Sequence, residues 1–259
     1  MTEPAHLSRR HALVGLAVAA VAAACTGKVR RTAPSVSPSS AGTRTTAPTP
    51  SSSPSARPLE EARELVHGPR TGHMVALTFH GAGDPALARG LLSEVERRHA
   101  QVTILAVGTW LSANPTMATR ILDGGHELGN HTYHHLAMRR LSATQAFDEI
   151  DRCAATLRAL SGSPGRWFRP SGTPRATSTI LRAAAKAGYQ TSLAYDVDPR
   201  DYQDPGADAV VSRTLAAVRP GSVVSLHLGH KGTVDAMPAI LDGLQSAGLR
   251  AVTTSELFA

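Results

Sequence analysis

Residues 126–135 read His126-Glu127-Leu128-Gly129-Asn130-His131-Thr132-Tyr133-His134-His135, which places four imidazoles in ten positions. His131 and His135 stand four apart. On a helical turn, positions i and i+4 project from one face, where two neutral ring nitrogens can converge on a cation. With 12 His in 259 residues, chance alone supplies roughly 0.5 such pairs, so spacing is not sufficient. A helix-start cluster of solvated imidazoles is the plain alternative. The setting favours a site: an apolar, Gly-punctuated run precedes the pair, and further His, Asp and Arg residues follow later apolar runs.

The elements that must position these residues alternate along the chain. Strand candidates are 74–79, 102–107, 126–130, 167–169, 191–197, 223–227 and 251–254. Amphipathic stretches lie between them at 85–98, 115–123, 142–160, 177–187, 207–218 and 233–246, several opening on a cap residue or Pro and several closing on Gly. Repeated strand–helix units imply parallel strands, because each crossover helix returns the chain to the same edge. The α/β pattern therefore predicts an irregular (β/α) barrel of about seven parallel strands; a doubly wound open sheet is the alternative. Barrel active sites lie at the C-terminal strand ends. His80 follows the first strand, His131 and His135 the third, Arg169 the fourth, Asp198 and Asp201 the fifth, and His227 ends the sixth. One shared pocket explains this grouping better than separate solvated loops.

The net charge of +7 is misplaced for nucleic-acid binding: residues 1–58 hold seven Lys/Arg against one acid, and residues 59–259 twenty against nineteen. The domain is near neutral, so no nucleic-acid partner is expected. Ser8-Arg9-Arg10, the apolar run 12–24 and Cys25 have the zones of a twin-arginine export signal over residues 1–25. Ala22-Ala23-Ala24-Cys25 resembles a lipobox, which would anchor the chain to a membrane through a lipidated Cys25; a plain secretory signal is the alternative. Residues 26–58, rich in Ser, Thr, Pro and Ala, read as a disordered spacer, and 59–259 as the folded domain of an exported, surface-held monomer. Cys153, on the apolar face of a helix, reads as a core residue with no disulfide partner if Cys25 is acylated.

From about Val75 onward the sequence resembles the polysaccharide deacetylase family, metal-dependent enzymes that remove acetyl groups from chitin-like glycans, peptidoglycan or acetylxylan. His131-Thr132 with His135 matches the family's metal motif, and Phe168-Arg169-Pro170 its Arg-Pro motif. Asp198-Pro199-Arg200-Asp201-Tyr202 matches Asp-x-x-Asp-Trp with Tyr for Trp, and Leu226-His227 the region of the catalytic acid. The resemblance implies a metal-dependent hydrolase acting on a carbon–nitrogen bond of an N-acetylated cell-wall glycan, with a divalent ion, zinc foremost, as cofactor.

The first motif departs. Where the family has Thr-Phe-Asp-Asp-Gly, with a base followed by an acidic ligand, this chain reads Thr78-Phe79-His80-Gly81-Ala82-Gly83-Asp84-Pro85. In one reading the site is rebuilt: His80, His131 and His135 form a three-nitrogen site with an open fourth position, an arrangement that supports hydrolysis. Asp84 then reaches the metal or acts as base, unless it only caps the following helix. Arg169, relieved of orienting a carboxylate, pairs with Asp198 or Asp201 and sits badly beside a protonated His80. His227 protonates the leaving amine. In the other reading the base and one ligand are lost, and a glycan-binding groove remains. Asp201 and Tyr202 either act in the site or wall the groove, and His230 reads as a loop residue.

Overall fold

Period-2 alternation along one strand sets up both layers of the fold. In Met74–Gly81 (β2), Val75, Leu77 and Phe79 are fully buried in a cluster shared with the surrounding helices. Ala76 points the opposite way, into a second cluster with Leu105, Trp167, Leu193, Val223 and Val252. Thr78 and His80 continue this inner row toward the C-terminal end of the strand.

The structure, a computed structural model, describes residues 60–259. The remaining elements are β1 (Arg63–Leu65), α1 (Pro85–Arg97), β3 (Thr103–Ala106), α2 (Gly108–Ala113), α3 (Thr116–Asp123), β4 (Glu127–Asn130), α4 (Ala143–Ser161), α5 (Ser178–Lys186), β5 (Thr191–Leu193), α6 (Ala207–Ala217), β6 (Val223–His227), α7 (Lys231–Ser246), β7 (Arg250–Val252) and α8 (Thr254–Leu257). The export signal, Cys25 and the spacer lie outside the described residues. Among the described residues no helix is long and apolar enough to cross a membrane.

Among the described residues every strand pairing is parallel. β2 pairs with β3 and β6 along its upper part, and with β7 over Met74–Ala76; β3 pairs with β4. Single bridges complete the ring: Phe168 joins Asn130 to Ser192 of β5, and Val197 joins Val224 of β6. β1 adds to β5. The barrel is thus α/β with parallel strands, as expected, but the expected strand at 167–169 contracts to the bridge at Phe168. The expected strand at 191–197 contracts to three residues plus Val197. β1 and α2 were not legible, since Arg63-Glu64-Leu65 is too short and charged to show alternation and six residues are too few for a helical period.

The helices are set by their caps. Asp84 accepts from the Ala86 amide ahead of Pro85 in α1. Ser142 and Gln145 form a reciprocal capping box that starts α4, and Gly162 ends it at φ 77°. Cys153, fully buried on α4, lies with its Sγ 3.4 Å from the Ala106 carbonyl. Burial pushes its thiol up to about 12.

Candidate metal centre

The site begins where β4 ends. Asn130, fully buried, donates from Nδ2 to the Ile150 carbonyl (2.9 Å) and the Tyr189 hydroxyl (3.0 Å), while its Oδ1 accepts the Thr132 amide (2.8 Å). This turns the chain sharply. Thr132 (φ 68°) and His135 (φ 59°) adopt left-handed backbone, and the amides of Gly108 and Thr109 donate to the carbonyls of Thr132 and Tyr133, both at 2.9 Å. The expected helical turn over 131–135 is therefore absent. His131 and His135 converge through a left-handed loop instead, their ring centroids 5.0 Å apart.

His131 is fully buried. Its Nδ1 lies 2.9 Å from the Arg169 carbonyl, which can only accept, so Nδ1 carries the proton and Nε2 a lone pair. That Nε2 is buried without a hydrogen-bond partner. The His80 ring centroid is 4.1 Å from that of His131, and one nitrogen from each of His80, His131 and His135 lies within 4.8 Å of the others. Burial, then the neighbouring imidazoles, holds His80 and His131 well below the ordinary imidazole value, and burial followed by His227 lowers His135. Three neutral nitrogens, one of them buried and unpartnered, fit a borderline-soft divalent cation. A carbonyl oriented on the far nitrogen of His131 is what metal-ligating imidazoles commonly have.

Arg169 is buried behind this group. Its Nε donates to the Leu193 carbonyl (2.9 Å) and Nη2 to that of Ala194 (3.2 Å), while Nη1 lies 3.3 Å from His80 Nε2. The expected pairing with Asp198 or Asp201 does not occur, because the carbonyls at the end of β5 take the guanidinium first. Burial lowers it to about 9. Arg169 only donates, so a neutral His80 suits this neighbour better than a protonated one, and the expected clash with a protonated His80 is avoided. Ser225 Oγ lies 3.3 Å from His80 Nε2.

His227 ends β6, with its ring centroid 4.3 Å from that of His80. Asp201, fully buried at the 3-10 turn Asp201–Gln203, accepts His227 Nδ1 (2.8 Å), the His227 amide (2.7 Å) and the Thr233 hydroxyl (2.6 Å). The carboxylate fixes the proton on Nδ1 and leaves Nε2 for exchange with a ligand.

Asp84 stays at the start of α1 on the Ala86 amide (2.8 Å) and is not part of the imidazole group. Asp198 is exposed and accepts the Arg200 amide (2.9 Å). Asp196 binds Arg70 (2.8 Å). His230 pairs with Asp204 (2.7 Å). Two adjoining hollows of about 300 and 400 Å³ share His80, His135, Tyr202 and His227; Asp198, Tyr195, Thr173 and Ser225 line the first. Ser225 was missed although it stands two residues before His227 on a strand, hence on the same face. Tyr195 and Thr173 gave no sequence signal. A Cβ at Gly81 would lie 2.9 Å from Ala106 Cα and 3.0 Å from Ile104 Cγ2, so the position is packed as glycine.

A parallel (β/α) barrel with three clustered imidazoles at its C-terminal mouth is the class of protein that the fold and site define. Comparison with known proteins narrows it: the sequence model described as "Polysaccharide deacetylase" matches residues 67–192. A peptidoglycan-N-acetylglucosamine deacetylase of Bacillus cereus is 32% identical over 201 residues, covering 73% of this chain and 90% of that protein. A chitooligosaccharide deacetylase of Bradyrhizobium is 33% identical over 158 residues, covering 60% of this chain and 71% of the other. This chain belongs to the polysaccharide deacetylase family. Among solved structures, the Bc1960 peptidoglycan N-acetylglucosamine deacetylase superposes with a TM-score of 0.71 at 27% identity, over 76% of this chain and 93% of that one. A mutant of BA3943, described as a CE4 family pseudoenzyme with restored enzymatic activity, superposes with a TM-score of 0.70 at 25% identity, over 75% of this chain and 70% of that one.

Proposed function

We propose that this protein is a metal-dependent hydrolase that removes the acetyl group from an N-acetylated cell-wall glycan, with His80, His131 and His135 as ligands of a divalent cation, zinc by its donor set. The observation that carries the proposal is the buried, unpartnered Nε2 of His131 beside two further neutral imidazoles. A bound cation would supply Lewis-acid polarisation of the acetyl carbonyl. The chain's own residues do the rest. The Arg169 carbonyl holds His131 in one tautomer, and the Arg169 guanidinium beside His80 disfavours its protonated form. Asp84 is occupied as a helix cap, so proton transfer falls to His227. Its Nε2 takes a proton from the attacking water and delivers it to the departing amine nitrogen, while Asp201 stabilises the imidazolium in between. Thr173, Tyr195 and Tyr202 wall the space for the sugar.

The twin-arginine start, Cys25 and the spacer support an exported protein, tethered to the membrane by a lipid and acting on wall glycan as a monomer. The near-neutral domain and the export signal speak against a nucleic-acid partner. A second reading, glycan binding without turnover, is favoured by one feature: Gly81 is packed where the family carries an acidic ligand. Metal content tests the first reading. The wild-type chain purified without chelator should hold about one zinc, and His131→Ala none; wild type without metal would sink the hydrolase.

A further inference from the structure

Glu149 is a buried carboxylate (6% exposed) on α4, and its only ion-pair partner among the described residues is His134. Burying a carboxylate is unfavourable unless its oxygens are engaged. Both are, and both by residue 134: Oε2 accepts the His134 amide at 2.8 Å, and Oε1 lies 2.6 Å from His134 Nδ1. One turn further along α4, the Arg152 guanidinium sits 4.2 Å over the Tyr133 ring. The helix therefore grips the two residues that lie between Thr132 and His135. Those two flanking residues have φ of 68° and 59°, conformations that non-glycine residues hold only where their surroundings over-determine them, and Thr132 is β-branched as well.

We infer that Glu149 is a positioning residue for the imidazole site. By fixing residue 134 it stabilises the left-handed loop that brings His135 round to His131 and His80, a convergence that a helix would otherwise have to provide. Its zinc readout rests on the metal reading above; its backbone readout does not. Glu149 touches none of the three imidazoles' metal-facing nitrogens, so its effect passes through the loop alone.

The test compares E149A and E149Q with two variants of the same helix in the full chain. S142A removes the cap that accepts the Gln145 amide at the start of α4, and D148N changes an exposed neighbour. Zinc affinity is read by chelator competition, and loop order by amide hydrogen exchange over residues 132–136. E149A should bind zinc roughly 10- to 100-fold more weakly and exchange the His134 amide more than about tenfold faster. E149Q, which keeps one acceptor oxygen, should fall between E149A and wild type. S142A and D148N should match wild type in both readouts. The inference is overturned if E149A and E149Q exchange these amides at the wild-type rate, or if S142A loosens the loop and weakens zinc as much as E149A does. A wild-type chain that binds no zinc would sink the metal reading, and the exchange comparison would still decide the role of Glu149.

Discussion

Asp201→Asn exchanges one carboxylate oxygen for an amide nitrogen and leaves the shape of the site unchanged, so its effect isolates charge and hydrogen-bond direction. Four donors converge on Asp201: the His227 amide and Thr233 hydroxyl on Oδ2, and His227 Nδ1 and the Tyr202 amide on Oδ1. Neither backbone amide can reverse, so whichever position the Asn NH₂ group takes, one amide loses its acceptor. With the NH₂ at Oδ1, His227 must accept at Nδ1 and keep its proton on Nε2, and in either orientation the imidazolium loses its counter-charge. A hydrogen bond to a charged group contributes about 1.5–3 kcal/mol. At about 1.4 kcal/mol per tenfold in rate, kcat should fall roughly 10- to 150-fold. The assay is acetate release from chitin oligomers and peptidoglycan, with zinc content measured alongside. Zinc should stay at the wild-type level, because Asp201 is not part of the three-imidazole group. Turnover within twofold of wild type in a folded, zinc-loaded D201N would refute the proton-transfer role of His227 with Asp201.

Other perturbations test the remaining parts. His80, His131 and His135 titrate below the ordinary imidazole range when folded, so between those values and about pH 6.5 the unfolded chain binds more protons. Stability of the metal-free protein should thus fall as pH drops below about 6.5, by up to about 1.4 kcal/mol per pH unit for each of His80 and His131 and by less for the exposed, solvent-screened His135. Thermal melts in chelator from pH 8 to 5 check this, and a flat profile would contradict the buried neutral site. Gly81→Asp should destabilise by about 1–3 kcal/mol, since its Cβ meets the β3 backbone; a denaturant titration showing no loss would undo that packing argument. Cys153 should resist thiol reagents at pH 8 until denaturant is added, because its thiol is buried and lifted to about 12.

The parallel barrel was legible because strand and helix periods alternate cleanly from Met74 onward, and each chemistry-bearing residue follows an apolar run. What escaped the sequence was direction. His131 and His135 have helical spacing, yet Asn130 and the first amides of α2 pull the chain into a left-handed loop. Arg169 looked ready for Asp198 or Asp201, but free carbonyls at the end of a short strand have no signature in residue types. Asp84 shows the reverse case: one residue suits both a cap and a ligand, and Pro85 behind it was the better clue. Glu149 lies fourteen residues past His135 on an ordinary amphipathic helix, where only burial distinguishes it from a solvated acid.

The most direct measurement is acetate released from N-acetylglucosamine oligomers by the metal-stripped full chain, before and after one equivalent of zinc is added back. A cup of three imidazoles that works without the family's carboxylates predicts no release from the stripped protein and restored turnover on zinc addition, with H131A silent throughout. Zinc bound at one equivalent with no acetate released from these oligomers or from peptidoglycan would contradict the hydrolytic account and leave a glycan-binding protein in its place.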